Sequence, residues 1–285
     1  MRLEQKDLRA FREMLGRVGR LHTDEMSPTH EGRLDFNKGL FGQVCDAVSF
    51  TGDFFEEMHR ALYGGVKPVM QFHLVRPDYM TNDAVGDVKA CSVKKDIPFR
   101  ADQLEGYLGV ERETGKKSFH VFYLHNGVDG RSKDRDARDM AMSLACRVLG
   151  ALHVPASLAV LCCNAALDSD NNLIRYSDRN SRGTWVYISA AGVRELFEKP
   201  ADFISHVGGD PANYEFVRLI SPRGFKMGDY AVERFPIVQI HDAAGHGLNG
   251  ASVPAKLLRA GRGKNDDSFK GLFDDGFDAP DASRD

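Results

Sequence analysis

Ser118-Phe119-His120-Val121-Phe122-Tyr123-Leu124-His125 alternates at a period of two. Phe119, Val121, Tyr123 and His125 fall on one face, and Ser118, His120, Phe122 and Leu124 on the other. Aromatic and β-branched side chains in that rhythm suit a pleated surface, so the stretch is expected to be a strand. Asn126-Gly127 and Asp129-Gly130 end it with turn chemistry. A helix is expected to start near Ser132 or Asp134, where a side-chain oxygen can accept from a free N–H. Its apolar stripe would be Met140, Leu144, Ala145, Val148, Leu149 and Leu152. Pro155 should prevent helix from continuing. The apolar run Leu158 to Cys163 then reads as a strand covered on both faces. Asp168 to Asn172 is turn chemistry, with short strands expected at Leu173–Tyr176 and Thr184–Ala190. A helix beside a doubly covered strand gives the fold class: α/β or α+β, a central mixed sheet flanked by helices.

Outward from this core, Met1 to Leu21 reads as a helix with Leu8, Phe11, Leu15 and Val18 on its apolar stripe. Its basic positions make it either a phosphate-facing surface or a solvated face. Helices are expected at Leu40–Val48 and Asp53–Tyr63, the second ended by Gly64 and Gly65. Val69–Val75 and Val85–Val93 read as strands, and Asp102–Leu108 as a short helix. After the core, Val193–Glu198 is expected to be helical, Pro200 interrupts, and Phe203–Val207 resumes the apolar pattern. Tyr214–Ile220 and Ile237–His241 read as strands separated by a loop with Pro222, Gly224 and Gly228. The expected organisation is a helical region over 1–65, a mixed core over 66–260 and an acidic flexible tail over 261–285.

Composition narrows the class. The chain has 285 residues, 42% hydrophobic and 28% charged, ordinary values for a water-soluble globular protein. No apolar run approaches the roughly 20 residues that cross a bilayer, so no membrane partner is expected. The five cysteines are Cys45, Cys91, Cys146, Cys162 and Cys163, none spaced as C-x-x-C. That disfavours a disulfide framework or zinc ribbon and suits a reducing, cytoplasmic setting. Net charge is −3, but from Lys264 onward three basic residues stand against seven acidic ones. The tail thus carries −4 and the remainder +1, a near-neutral body with an acidic end.

Three groups of residues carry candidate chemistry. Pro77-Asp78 ends one segment, Asp87-Val88-Lys89 follows nine residues on, and Glu56 and Glu57 sit on the preceding helix. This pattern resembles the PD-(D/E)xK nucleases. The resemblance covers about residues 53 to 93 and implies catalytic roles for Asp78, Asp87, Lys89 and Glu57. Asp78 and Asp87 would hold Mg²⁺, which prefers oxygen ligands, and Lys89 would help orient the attacking water. The alternative is a turn followed by an ordinary charge pair, with no cofactor. Among the histidines, His120 and His125 project to opposite faces of their strand. His241-Asp242 with His246 lacks a third ligand. Asp168, Asp170 and Asn172 alternate like a calcium loop, but Leu173 stands where Gly is needed and Arg179 where an acid is needed.

The second group is a prospective nucleic-acid surface. Phe119, Tyr123, Trp185 and Tyr187 are strand aromatics with basic residues near them in sequence, Lys117, Arg131 and Lys133 included, and Lys256, Arg259 and Arg262 precede the tail. Strand aromatics can stack bases and cations can track the backbone. The third is the tail itself, Gly271-Leu272-Phe273-Asp274-Asp275-Gly276-Phe277-Asp278. It is similar to the acidic-aromatic tails of phage and bacterial single-strand-binding proteins, which implies docking of a protein partner and competition with nucleic acid.

These features favour a nucleic-acid-associated binding protein, of phage or mobile-element type and binding single-stranded DNA, with a regulatory acidic tail. A Mg²⁺-dependent nuclease is the alternative. An assembly or virion structural protein is a third reading, and a homo-oligomer fits any of them.

Overall fold

A computed structural model describes residues 42–68, 75–127, 144–177, 183–227, 230–243 and 252–259. The expected helix at 1–21, most of the expected strand at 69–75 and the acidic tail lie outside the described residues.

The core is built around the alternating segment Ser118–His125. β4 (Lys117–His125) has every residue buried except Lys117. It lies third in a six-stranded mixed sheet. In spatial order the strands are β1 (Tyr79–Met80), β2 (Ala84–Ser92), β4, β5 (Val148–Pro155), β11 (Pro236–Asp242) and β8 (Tyr214–Ile220). β2 and β4 are parallel, as are β5 and β11; the other neighbours are antiparallel. Parallel neighbours need a crossover. Between β2 and β4 it consists of β3 (Ile97–Arg100) and α2 (Ala101–Thr114).

The two faces of β4 bury different layers. Phe119, Val121 and Tyr123 pack with Phe54, Phe55 and Met58 of α1 (Gly42–Tyr63) and with Ala151 and Ile237. Phe122 and Leu124 pack with Leu104 and Leu108 of α2, Leu158 and Cys162 of α3 (Ala156–Ala165), and Leu152 and Val238. Helices therefore cover the sheet on both sides, and the expected fold class is the observed one. A three-stranded antiparallel sheet joins the second layer: β3, then β7 (Trp185–Ile188), then β6 (Ile174–Ser177). α4 (Ala190–Glu198), α5 (Pro200–His206) and α6 (Ala255–Arg259) add Leu196, Phe203 and Leu257 to that core.

Two expectations are corrected. Val148–Pro155 is strand β5, not the end of a helix. Val148, Leu149 and Leu152 satisfy helical spacing, but the segment is held between β4 and β11. Leu158–Cys163 is helix α3, not a strand. Pro155 does not end a helix there; it caps the start of one, where no N–H is required. A short apolar run carries no periodicity to separate the two states, and the alanines at 156, 159 and 165 favour helix. The adjacent Cys162 and Cys163 therefore lie about 100° apart around a helix rather than on opposite sheet faces. The loop expected after β8 also contains a hairpin, β9 (Phe225–Met227) with β10 (Tyr230–Val232). The expected helices at 40–48 and 53–63 form one element, and Gly64 (φ 84°) and Gly65 (φ 97°) end it.

Gly86 holds the β1–β2 hairpin to β4. A Cβ there would lie 2.2 Å from the Phe119 carbonyl oxygen and 2.8 Å from the Tyr79 ring. Gly86→Ala is expected to cost about 1–3 kcal/mol through overpacking. Urea denaturation read by circular dichroism checks this. A variant as stable as wild type would show that the approach of Tyr79 and β4 is not as tight as described.

Candidate active site

Pro77-Asp78 stands immediately before β1, and the hairpin folds it back onto β2. The Asp78 N–H donates to the Gly86 carbonyl at 2.9 Å. The Val88 N–H donates to Asp78 Oδ2 at 2.8 Å. Two hydrogen bonds thus bring the Asp78 carboxyl beside the Asp87-Val88-Lys89 segment. On β2, Val88 faces α1 while Asp87 and Lys89 share the α2 face, as the period of two requires. Lys89 Nζ lies 2.6 Å from Asp87 Oδ2. His120 is the residue opposite Asp87 on β4. Its Nδ1 is 3.6 Å from Asp87 Oδ2, an ion-pair distance rather than a hydrogen bond. The buried His120 ring lies among Phe99, Tyr107 and Phe122, at 5.8, 5.5 and 6.3 Å between centroids.

α1 supplies the third carboxylate. Glu56 Oε2 lies 2.5 Å from Lys67 Nζ and 3.9 Å from Arg60 Nη1. Arg60 also donates to the Asp78 carbonyl and pairs with Glu57. Glu57 is therefore directed at Arg60. Glu56 is the helix carboxylate whose charge acts on Asp78.

The two aspartates have opposite electrostatics. Burial, then the charges of Glu56 and Asp87, push the Asp78 carboxyl well above the ordinary carboxylate range. Burial would raise Asp87 too, but the Lys89 ammonium and His120 outweigh it and hold Asp87 below its usual value. Burial works against the charge of Lys89; Asp87 more than offsets this, and Lys89 stays an ammonium. Asp78 is thus the carboxyl most readily kept neutral, next to a firmly ionised neighbour. All the carboxylate donors are hard oxygens, and like-charge crowding at Asp78 is what a cation would relieve. As the side chains stand, no three His, Cys, Asp or Glu residues are grouped to hold a metal ion among the described residues.

The described members of the expected nucleic-acid surface lie on separate elements. Lys117 pairs with Glu111 at 3.2 Å. Trp185 is on β7 of the small sheet, across from Arg100 and Ser177. Lys256 sits 5.7 Å over the Tyr176 ring. Arg131, Lys133, Arg262 and the Arg259 side chain lie outside the described residues, as does His246. Asp242 accepts a hydrogen bond from Ser157, and Asp168 from the Asp170 N–H in a tight turn.

A second polar group, between α1 and the sheet, has no signature in the sequence. His59 Nδ1 and the Tyr123 hydroxyl are 2.9 Å apart. The His59 ring lies 4.4 Å from Tyr79, 4.8 Å from Tyr63 and 5.8 Å from His153. His153 Nδ1 is 3.2 Å from Gln239 Nε2. These contacts link α1 to β5 and β11, so no local pattern announces them.

No protein-family model matches the chain, and no curated protein or solved structure does either. Among the described residues no helix is long and apolar enough to cross a membrane.

The buried histidines set an acid response. Burial, then His241, push His153 down to about 3. Burial, with His153 and Arg60, also lowers His59 well below its ordinary value. Both are neutral in the folded protein near neutral pH, whereas the unfolded chain binds their protons below about pH 6.5. Stability is therefore expected to fall as pH drops from about 6.5 toward 3, by up to about 1.4 kcal/mol per pH unit for each group. His153→Gln keeps a partner for Gln239 and removes one titration. Urea denaturation at pH 7, 5 and 4 should show a shallower acid loss in this variant. An unchanged slope would contradict the assignment.

Proposed function

We propose that the protein is a Mg²⁺-dependent nuclease of the PD-(D/E)xK kind. One observation carries the reading: Asp78 is hydrogen-bonded to the main chain of Val88, between Asp87 and Lys89. A pattern spread over a hairpin in sequence is thereby gathered at one place, with Glu56 of α1 beside it. The order helix, hairpin, crossover helix and parallel strand supplies the frame that holds it.

Asp78 and Asp87 are the residues that would hold the ion. A bound Mg²⁺ supplies charge stabilisation at a phosphodiester and a more acidic water. The chain's own groups do the positioning. Asp87 stays ionised because Lys89 neutralises its field. Lys89 stays protonated, so its role is to donate hydrogen bonds to phosphate or water oxygen rather than to remove a proton. Arg60 fixes the Asp78 main chain and holds Glu57 aside. Lys94, exposed in the turn after β2, offers a further cation to a phosphate backbone. Nucleic acid is the partner this chemistry requires.

Incubation of supercoiled plasmid and labelled single- and double-stranded oligonucleotides with the full chain and Mg²⁺ tests the reading. Cleavage that EDTA stops is expected. Asp78→Asn and Asp87→Asn should each reduce it at least about 100-fold, the loss of a metal-holding group. The two variants should differ in stability. Asp78→Asn mimics a carboxyl already favoured as neutral and should fold as wild type does. Asp87→Asn leaves Lys89 without its counter-charge and should cost about 1–3 kcal/mol, less than a fully buried pair because Lys89 keeps some exposure. Cleavage by Asp87→Asn at the wild-type rate would contradict the assignment. Intact DNA retained on the protein would move it to the non-enzymatic binding class.

A further inference from the structure

β8 is the last strand of the six-stranded sheet. One side pairs with β11 over seven residues, from Ile220 against Pro236 to Tyr214 against Asp242. Among the described residues, nothing pairs with its other side. Flanking hydrogen bonds show which groups face that side. Ser221 N–H donates to the Phe235 carbonyl, and Ala243 N–H to the Asn213 carbonyl. Ser221 and Asn213 thus turn toward β11, and in an antiparallel ladder this orientation alternates along the strand. Glu215, Val217 and Leu219 share it. The main-chain groups of Tyr214, Phe216, Arg218 and Ile220 therefore point outward.

Open edges of this length are normally blunted by Pro, by charged side chains, Lys above all, or by a bulge. β8, Tyr-Glu-Phe-Val-Arg-Leu-Ile, has no Pro, Lys or bulge and only Glu215 and Arg218 as charges, one of each sign, and its Leu219 and Ile220 are 42% and 54% exposed. We infer that a second copy of the chain docks on this edge, β8 against β8, antiparallel, about a two-fold axis through Val217. Residues with outward main-chain groups must meet their own kind, so the axis can pass through a residue but not between two. Charge and apolar exposure then choose among the axes. An axis at Arg218 sets two guanidinium groups opposite each other. An axis at Phe216 leaves Leu219 and Ile220 outside the pairing. At Val217 all seven residues pair: Tyr214 with the partner's Ile220, Phe216 with the partner's Arg218, Glu215 with the partner's Leu219, and Val217 with its own copy. Aromatic and β-branched neighbours and an Arg beside a ring are favourable cross-strand pairs, and no like charges meet. Such a contact is isologous and closes at two copies.

Size-exclusion chromatography with light scattering on the full chain is the test, with two variants. Arg218→Pro removes an outward N–H and the guanidinium's hydrogen bond to the Glu198 carbonyl, but no bond to β11, a change that edge strands tolerate. Val217→Cys places two thiols at a pair without main-chain hydrogen bonds, where Cα atoms lie about 4.5 Å apart, within disulfide range. A wild-type dimer is expected. Arg218→Pro should be a monomer with wild-type circular dichroism. Val217→Cys should give a covalent dimer on mild oxidation, whereas Phe216→Cys and wild type should not. A monomeric wild type, a dimer that survives Arg218→Pro, or no crosslinking above wild type in Val217→Cys would each overturn the inference.

Discussion

Nine consecutive residues of β2 lie parallel to nine of β4, from Ala84 against Lys117 to Ser92 against His125. That pairing fixes most of what surrounds it. Because the strands are parallel, the chain must cross from one end of the sheet to the other, and β3 with α2 makes that journey. The register sets Asp87 across from His120 and Lys89 across from Phe122. A slip by one residue would turn Asp87 and Lys89 into the apolar contact with α1. Gly86 lets the Phe119 carbonyl and the Tyr79 ring approach closely enough for this register to form.

The charges gathered there are kept by mutual compensation. Asp87 and Lys89 are both largely removed from water, and each makes the other's ionised form tolerable. Asp78 has the opposite position: Glu56 and Asp87 crowd it, and the Val88 N–H hydrogen-bonds its carboxylate. This asymmetry between adjacent carboxyls stands out from an ordinary structural ion pair. Perturbed groups of this kind concentrate at functional sites. The aromatic-histidine group on the α1 face differs again. Its histidines are neutral and joined to Tyr123 and Gln239, so it binds helix to sheet rather than presenting charge.

Much of the frame was legible because its signals are local. Period-two alternation marks β4, and paired glycines mark the end of α1. Pro77-Asp78 and Asp87-Val88-Lys89 stand close enough in sequence for a hairpin to join them. The segment from Val148 to Ala165 is ambiguous in sequence because apolar runs of that length fit either state, and position in the sheet decides between them. His120 belongs beside Asp87 only once β2 and β4 are in register. The approach of His59 to His153 joins residues far apart in sequence, which no spacing rule anticipates.

Direct metal binding tests the central claim most closely, because it does not depend on finding the right nucleic acid. Mn²⁺ serves as a paramagnetic stand-in for Mg²⁺, and its electron paramagnetic resonance signal reports free ion during a titration with the full chain. Saturable binding by wild type, lost in Asp87→Asn and in a still-folded Asp78→Asn, is the predicted result. Absence of binding by wild type, or equal binding by all three proteins, would contradict it.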